Sequence, residues 1–174
     1  MIRVVECSFE RHAAAILDIL NEAIVSSTAL YDYVPRSMES MHGWFAAKAA
    51  GRFPVIGVED VHGRLLGFAS YGVFRAWPAY KYSVEHSVYV HHTERGRGLG
   101  VALMRELIAA AQAQGYHTLI GVIDHDNAGS IAFHEKLDFA RCGTIRQAGF
   151  KFGRWLDVVF YQLLLETPGA PQEG

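Results

Sequence analysis

Apolar residues at Ala13, Ile16, Leu17, Leu20, Ala23 and Ile24 recur at the three-four spacing of one helix face. They predict a helix over Phe9 to Ser26, preceded by a short strand from Ile2 to Cys7. Ser37 as N-cap, with Glu39 in the first turn, opens a second helix that runs through Trp44, Phe45 and Ala49 to Gly51. Between the two, Thr28 to Arg36 reads as an aromatic loop. Val55 to Glu59 and Leu65 to Phe74 read as antiparallel strands joined around His62-Gly63. Val84 to Val90 alternates, with Val84, His86, Val88 and Val90 on one face and Glu85, Ser87 and Tyr89 on the other. That is a strand with one polar face.

An apolar stripe of Leu99, Leu103, Leu107 and Ala110 or Ala111 then marks a helix closed by Gly115. Thr118 to Asp124 is almost continuously apolar and suits a buried strand, after which Asn127 caps a helix through Leu137. The order strand, loop, helix, strand, helix implies parallel strands. Phe139 to Arg146 and Trp155 to Leu165 are β-rich and complete the sheet. Thr167 to Gly174, with two prolines and two glycines in eight residues, predicts a disordered tail. The expected architecture is an α/β (α+β mixed sheet) fold. A central twisted sheet, flanked by about four helices, forms a single domain over residues 1–166, with 167–174 outside it.

At 174 residues and 51% hydrophobic, the chain suits one core. A formal charge of −2 gives no general attraction to nucleic acid or to an anionic membrane, which points to a small-molecule ligand. No apolar run reaches the length of a membrane span. Met1-Ile2-Arg3-Val4-Val5-Glu6 carries no signal-peptide core, so a cytoplasmic setting is expected. Cys7 and Cys142 lie far apart without metal or redox spacing, and both read as structural thiols. His91-His92 point to opposite faces if still on the strand, and His125 with Asp126 lacks a further ligand at helical spacing, so no metal is expected.

Arg95-Gly96-Arg97-Gly98-Leu99-Gly100 lies between the Val84 strand and the Leu99 helix. Glycines let the backbone approach an anion, and the unpaired N–H groups of the first helical turn face it with the helix dipole behind them. A triphosphate loop needs Lys and then Ser or Thr after its last glycine, but Val101 and Ala102 follow Gly100. A dinucleotide loop needs a third glycine where Val101 stands. The remaining pattern, Arg or Gln, two residues, Gly, one residue, Gly or Ala, is met by Arg95, Gly98 and Gly100.

With this loop the chain resembles the GNAT superfamily of acetyl-CoA-dependent N-acetyltransferases. Further motifs are Val84-Glu85-His86-Ser87-Val88-Tyr89-Val90, Asn127-Ala128-Gly129-Ser130, Phe133-His134-Glu135-Lys136-Leu137 and Gly149-Phe150-Lys151-Phe152-Gly153-Arg154-Trp155-Leu156-Asp157. In that order they are similar to the phosphinothricin and methionine sulfoximine or sulfone N-acetyltransferases. Asp138 departs from the glycine frequent there in those enzymes.

The resemblance implies a GNAT-like acyl-CoA N-acyltransferase fold and acetyl transfer to the α-amine of a small amino acid or analogue in a ternary complex. Glu85 is then the candidate base, and His134 a proton donor or a member of the base system. Acetyl-CoA would lie along Val88, Tyr89 and Val90, with its pyrophosphate at Arg95, Gly96, Arg97, Gly98, Leu99, Gly100 and Val101 and contacts from Asn127 and Ser130. Arg75 is shaped to clamp a carboxylate, Tyr31, Trp77 and Phe152 to wall the acceptor pocket, and Lys151 to serve a neighbouring subunit in a homodimer. Each has a plainer alternative: a solvated strand carboxylate for Glu85, a satisfied helix histidine for His134, an N-cap for Asn127, a surface arginine for Arg75. Alternative functions are acetylation of a protein N-terminus or polyamine, or coenzyme A binding without turnover.

Overall fold

The computed structural model describes residues 1–173. Its elements in chain order are β1 (Arg3–Glu6), α1 (Phe9–Ser26), α2 (Met38–Ala50), β2 (Val55–Glu59), β3 (Leu65–Val73), β4 (Ser83–Val90), α3 (Leu99–Ala113), β5 (Thr118–Asp124), α4 (Ala128–Glu135), β6 (Ala140–Lys151) and β7 (Arg154–Leu164). The strands form a seven-stranded mixed sheet in the order β1-β2-β3-β4-β5-β7-β6. β4 and β5 run parallel and β5 and β7 antiparallel. Two compact units divide the chain, one of Met1–Gly72 with Ser87–Leu107, the other of Val73–His86 with the chain from Ile108 onward.

In the first unit, α1 buries His12, Ala13, Ile16, Ile19, Leu20, Ala23 and Ile24, close to the face its spacing implied, except that Ile19 and His12 join it and Leu17 is only half-buried. His12 Nδ1 accepts the Ser8 amide N–H at 2.9 Å, so its Nε2–H is left to donate to Glu59 Oε1, also at 2.9 Å. Glu59 is fully buried, and Arg3 and Arg11 reach it at 2.5 and 3.0 Å. The hydrogen bonds from Arg3 and His12 hold its carboxyl below the usual range. Ser37 caps α2 by accepting from the Ser40 amide, as its position predicted.

In the second unit, β6 runs on to Lys151, well past the expected end at Arg146. Phe152 and Gly153 at φ +51° and +73° form the two-residue turn that sends the chain back into β7. A phenylalanine in that conformation gives no turn signal in a sequence. Residues 167–173 are not free of the fold: the Thr167 carbonyl accepts from His117 Nδ1 at 2.9 Å, and Tyr82 Oη donates to the Gln172 carbonyl at 3.1 Å. The part of the expected tail at Gly174 lies outside the described residues.

The α4 helix ends with the Phe139 amide bonded to the His134 carbonyl and the Asp138 amide to that of Glu135, each at about 3.1 Å. Asp138 sits between them at φ +64°, the conformation an L-residue disfavours, and sets a carboxylate at the negative end of the helix dipole. Asp138→Gly removes both penalties. It should stabilise the fold by about 1 kcal/mol, raising Tm by about 2–4 °C in calorimetry.

Candidate active site

Alternation along β4 divides its side chains between two faces. Val84 and His86 are buried, whereas Glu85 is half-buried on the opposite face. Its register partner in the parallel ladder is Ile120 of β5. Burial pushes the Glu85 carboxyl above its usual value, and the positive charge of Arg75 partly offsets the rise. A carboxylate poised upward in this way is a better proton acceptor than an ordinary glutamate. Arg75 itself is exposed, its guanidinium 4.3 Å from the Phe74 ring centre and Nη1 donating to the Phe74 carbonyl at 2.8 Å.

His134 does not join Glu85. It is buried on the other face of β4, with Nε2 2.9 Å from His86 Nε2 and Nδ1 2.7 Å from the Ser130 carbonyl. Gly121 of β5 makes room for the pair, since a Cβ there would lie 2.9 Å from His134 Nε2 and 3.1 Å from His86 Cε1. Burial lowers both rings' affinity for a further proton, that of His86 to about 3. Asn127 is the N-cap of α4, accepting the Ser130 amide at 3.0 Å. His86 was legible only as a polar residue on an apolar strand face, a position that calls for a partner without naming it.

In the other unit, Val88, Tyr89 and Val90 continue β4, with the Tyr89 ring 5.5 Å from that of Phe68. The loop follows a short 3-10 turn, where His91 and His92 stack at 4.5 Å instead of pointing to opposite faces, because the strand ends at Val90. Gly96 and Gly98 stand at φ +78° and +76°, and a Cβ on either would meet nothing within 4 Å. Gly98 also begins α3, its carbonyl accepting the Ala102 amide at 3.2 Å. The amides ahead of that bond have no carbonyl within the helix to reach. Leu99 is buried beneath the turn, with Gly100 and Val101 half-buried beside it.

The loop arginines are braced from below. Arg95 Nη2 donates to Glu22 at 2.9 Å, and Arg97 pairs with Glu94. Glu94 is buried and accepts a second bond from Arg64 at 2.6 Å, so its carboxyl is held low. These partners lie up to tens of residues away and were not read from the sequence. An open, glycine-lined loop at a helix N-terminus with two guanidinium groups suits a pyrophosphate, and with it acetyl-CoA.

Tyr31, Trp77 and Phe152 are 39%, 73% and 58% exposed, so none is a buried wall within the single chain. Lys151 is buried, its ammonium 4.9 Å from the Phe152 ring. Cys7 is buried, with its thiol pushed up to about 12, chiefly by burial, as suits a structural thiol. Cys142 is instead exposed, because β6 is an edge strand open to solvent. Among the described residues no helix is long and apolar enough to cross a membrane, and no three His, Cys, Asp or Glu converge as metal ligands.

Residues 15–139 match the profile of the Acetyltransferase (GNAT) family. An L-methionine sulfoximine/L-methionine sulfone acetyltransferase of Pseudomonas paraeruginosa is 43% identical over 157 residues, 90% of this chain and 91% of the relative. A solved structure from Acinetobacter baylyi has TM-score 0.99 at 58% identity, covering 100% of this chain and 98% of that one. A GNAT superfamily phosphinothricin acetyltransferase from Sinorhizobium meliloti, solved in complex with AcCoA, has TM-score 0.93 at 32% identity, covering 99% and 94%. The family match runs from within α1 to the turn after α4, and the chain belongs to the acetyltransferase (GNAT) family.

Proposed function

We propose that this enzyme moves the acetyl group of acetyl-CoA to the α-amine of a small amino acid or analogue. Methionine sulfone, methionine sulfoximine and phosphinothricin are the first acceptors to consider, with hydrophobic amino acids beside them. The observation that carries the reading is Glu85, a half-buried carboxylate on the open face of β4 whose pKa is raised by burial and tuned by Arg75. An α-ammonium must lose a proton before its nitrogen can bond to the acetyl carbon, and Glu85 takes that proton, directly or through water. The thioester supplies an activated acetyl group whose carbonyl the backbone N–H groups of Val88 to Val90 polarise, while the Arg95 to Gly100 loop holds the pyrophosphate. As nitrogen bonds to the acetyl carbon the C–S bond breaks, and coenzyme A leaves as a thiolate that takes up the second proton shed by the amine. Arg75 binds the acceptor carboxylate through paired hydrogen bonds.

A homodimer belongs to the same proposal. β6 is the sheet edge, and Ile145, Phe150, Phe152 and Trp155 around it are 45–59% exposed, an apolar surface suited to a second copy, toward which Phe152 would then be directed. The proposed setting is cytoplasmic, where coenzyme A thioesters are held.

Thiol release from acetyl-CoA, followed over free amino acids, sulfones, a peptide amine, a polyamine and aminoglycosides, tests the reading. Free α-amino acids or their analogues should be preferred. Arg75→Ala should raise the acceptor KM at least about tenfold while leaving that of acetyl-CoA unchanged. It should also move the rising limb of the pH profile upward, because the charge that lowers Glu85 is gone. Preference for a peptide or polyamine, with indifference to Arg75→Ala, would transfer the activity to those acceptors. Binding without turnover on any amine would leave only a coenzyme A-binding domain.

A further inference from the structure

The bond between His86 and His134 fixes where every proton of the pair sits. The Ser130 carbonyl can only accept, so His134 Nδ1 carries a hydrogen and, in the neutral ring, Nε2 is a bare acceptor. His86 Nε2 must then donate to it across 2.9 Å, which leaves His86 Nδ1 as a bare nitrogen, buried and with no hydrogen-bond partner. A third proton on the pair would end on that isolated atom. Both nitrogens of His134 are therefore engaged by the protein and neither is presented to a substrate.

We propose that His86 is a positioning residue: it fixes His134 as a neutral ring, and the two form a hydrogen-bonded wedge that holds β4 at Glu85 without carrying a proton in the reaction. The wedge sits one residue past the Glu85–Ile120 register pair, at Gly121, where a side chain would displace it. It joins α4, through Ser130 and His134, to β4 and β5 under the strand position that bears the base. The groups facing it agree with a neutral pair. Phe139 packs 5.1 Å from the His86 ring and 5.2 Å from that of His134. Tyr161 of β7 lies 6.1 Å from His134, but its hydroxyl donates to Glu135 at 2.8 Å. Among the described residues no carboxylate bonds either ring. Burial lowers the proton affinity of both, in keeping with the geometry.

This inference rests on Glu85 taking the amine proton, which Glu85→Gln tests independently. The deciding measurement is the histidine ring ¹⁵N spectrum of the full chain between pH 5 and 8, together with kcat and KM. The expected spectrum shows His134 protonated at Nδ1, His86 at Nε2, and neither titrating. His86→Phe should free His134 Nε2, bring that ring into the titrating range and lower kcat at least about tenfold, with the acetyl-CoA KM unchanged. His86→Gln, whose amide offers an N–H near the same place, should retain the His134 tautomer and most of kcat. A His134 that titrates in the wild-type chain overturns the proposal. So does a folded His86→Phe with unchanged kcat, or a His86→Gln that loses as much as the phenylalanine. Should His86→Phe not fold, the wild-type and glutamine spectra decide.

Discussion

Glu85→Gln should lower kcat by about 10²–10⁴-fold, the range for removing a positioned general base, while acetyl-CoA affinity stays within about twofold. The amide keeps the size of the side chain and lies on the face opposite the histidine pair, so the β4 ladder has no reason to shift. The pH dependence separates a lost base from a disturbed site. Burial raises the Glu85 pKa, so the ionised, proton-accepting form is scarce at low pH and accumulates only as pH climbs through a value above that of an ordinary glutamate. The wild-type kcat/KM should therefore show a rising limb displaced upward from the glutamate range. In the glutamine variant that limb disappears and the remaining rate follows the fraction of acceptor already present as free amine, which moves the whole profile to higher pH. Pre-steady-state thiol release with methionine sulfone across pH 5–10 reads both effects. A glutamine variant with the wild-type profile would remove Glu85 from the reaction, whatever its rate.

How much of this was legible depended on whether a residue's role is local. The faces of α1 and β4, the Ser37 and Asn127 caps and the Gly98 turn are set by neighbours within a few residues, and each occupies its expected place. The long reach of β6 was not legible, because its closing turn uses Phe152 at positive φ where a sequence shows an ordinary aromatic residue. Partnerships across the fold were hidden in the same way. Period two put His86 among apolar neighbours, but only the packing of α4 over Gly121 supplies His134, 48 residues on. Likewise, Glu94 reads as one charge in a polar loop until Arg64 and Arg97 are seen to meet on it. The site separates accordingly: the backbone features that receive the donor follow from local pattern, whereas the state of each titratable side chain follows from burial and distant partners.

Gly98→Val should weaken acetyl-CoA binding by about 10–100-fold, roughly 1.4–2.7 kcal/mol, and leave kcat at saturating donor and the acceptor KM within about twofold. The cause is not a clash inside the protein, since a Cβ at this position meets no atom within 4 Å. Two other costs apply. At φ +76° an L-residue pays about 1–2 kcal/mol and a β-branched one more, so valine pulls the loop away from the conformation that turns its amides toward the anion. Whatever φ it adopts, its methyl groups then stand over the start of α3, where the Gly98 carbonyl receives its first helical bond and the preceding N–H groups face outward. Because Gly98 is exposed and Leu99 remains to anchor the turn, the fold should persist with a small loss in Tm. Titration calorimetry with acetyl-CoA and with desulfo-coenzyme A, beside thiol-release kinetics, measures the effect. Both ligands should weaken equally, since the two share the pyrophosphate and differ only at the thioester end. Unchanged affinity for both would take the pyrophosphate away from this loop, and a fall confined to kcat would mean that Gly98 acts on the transfer step instead of on the donor's hold.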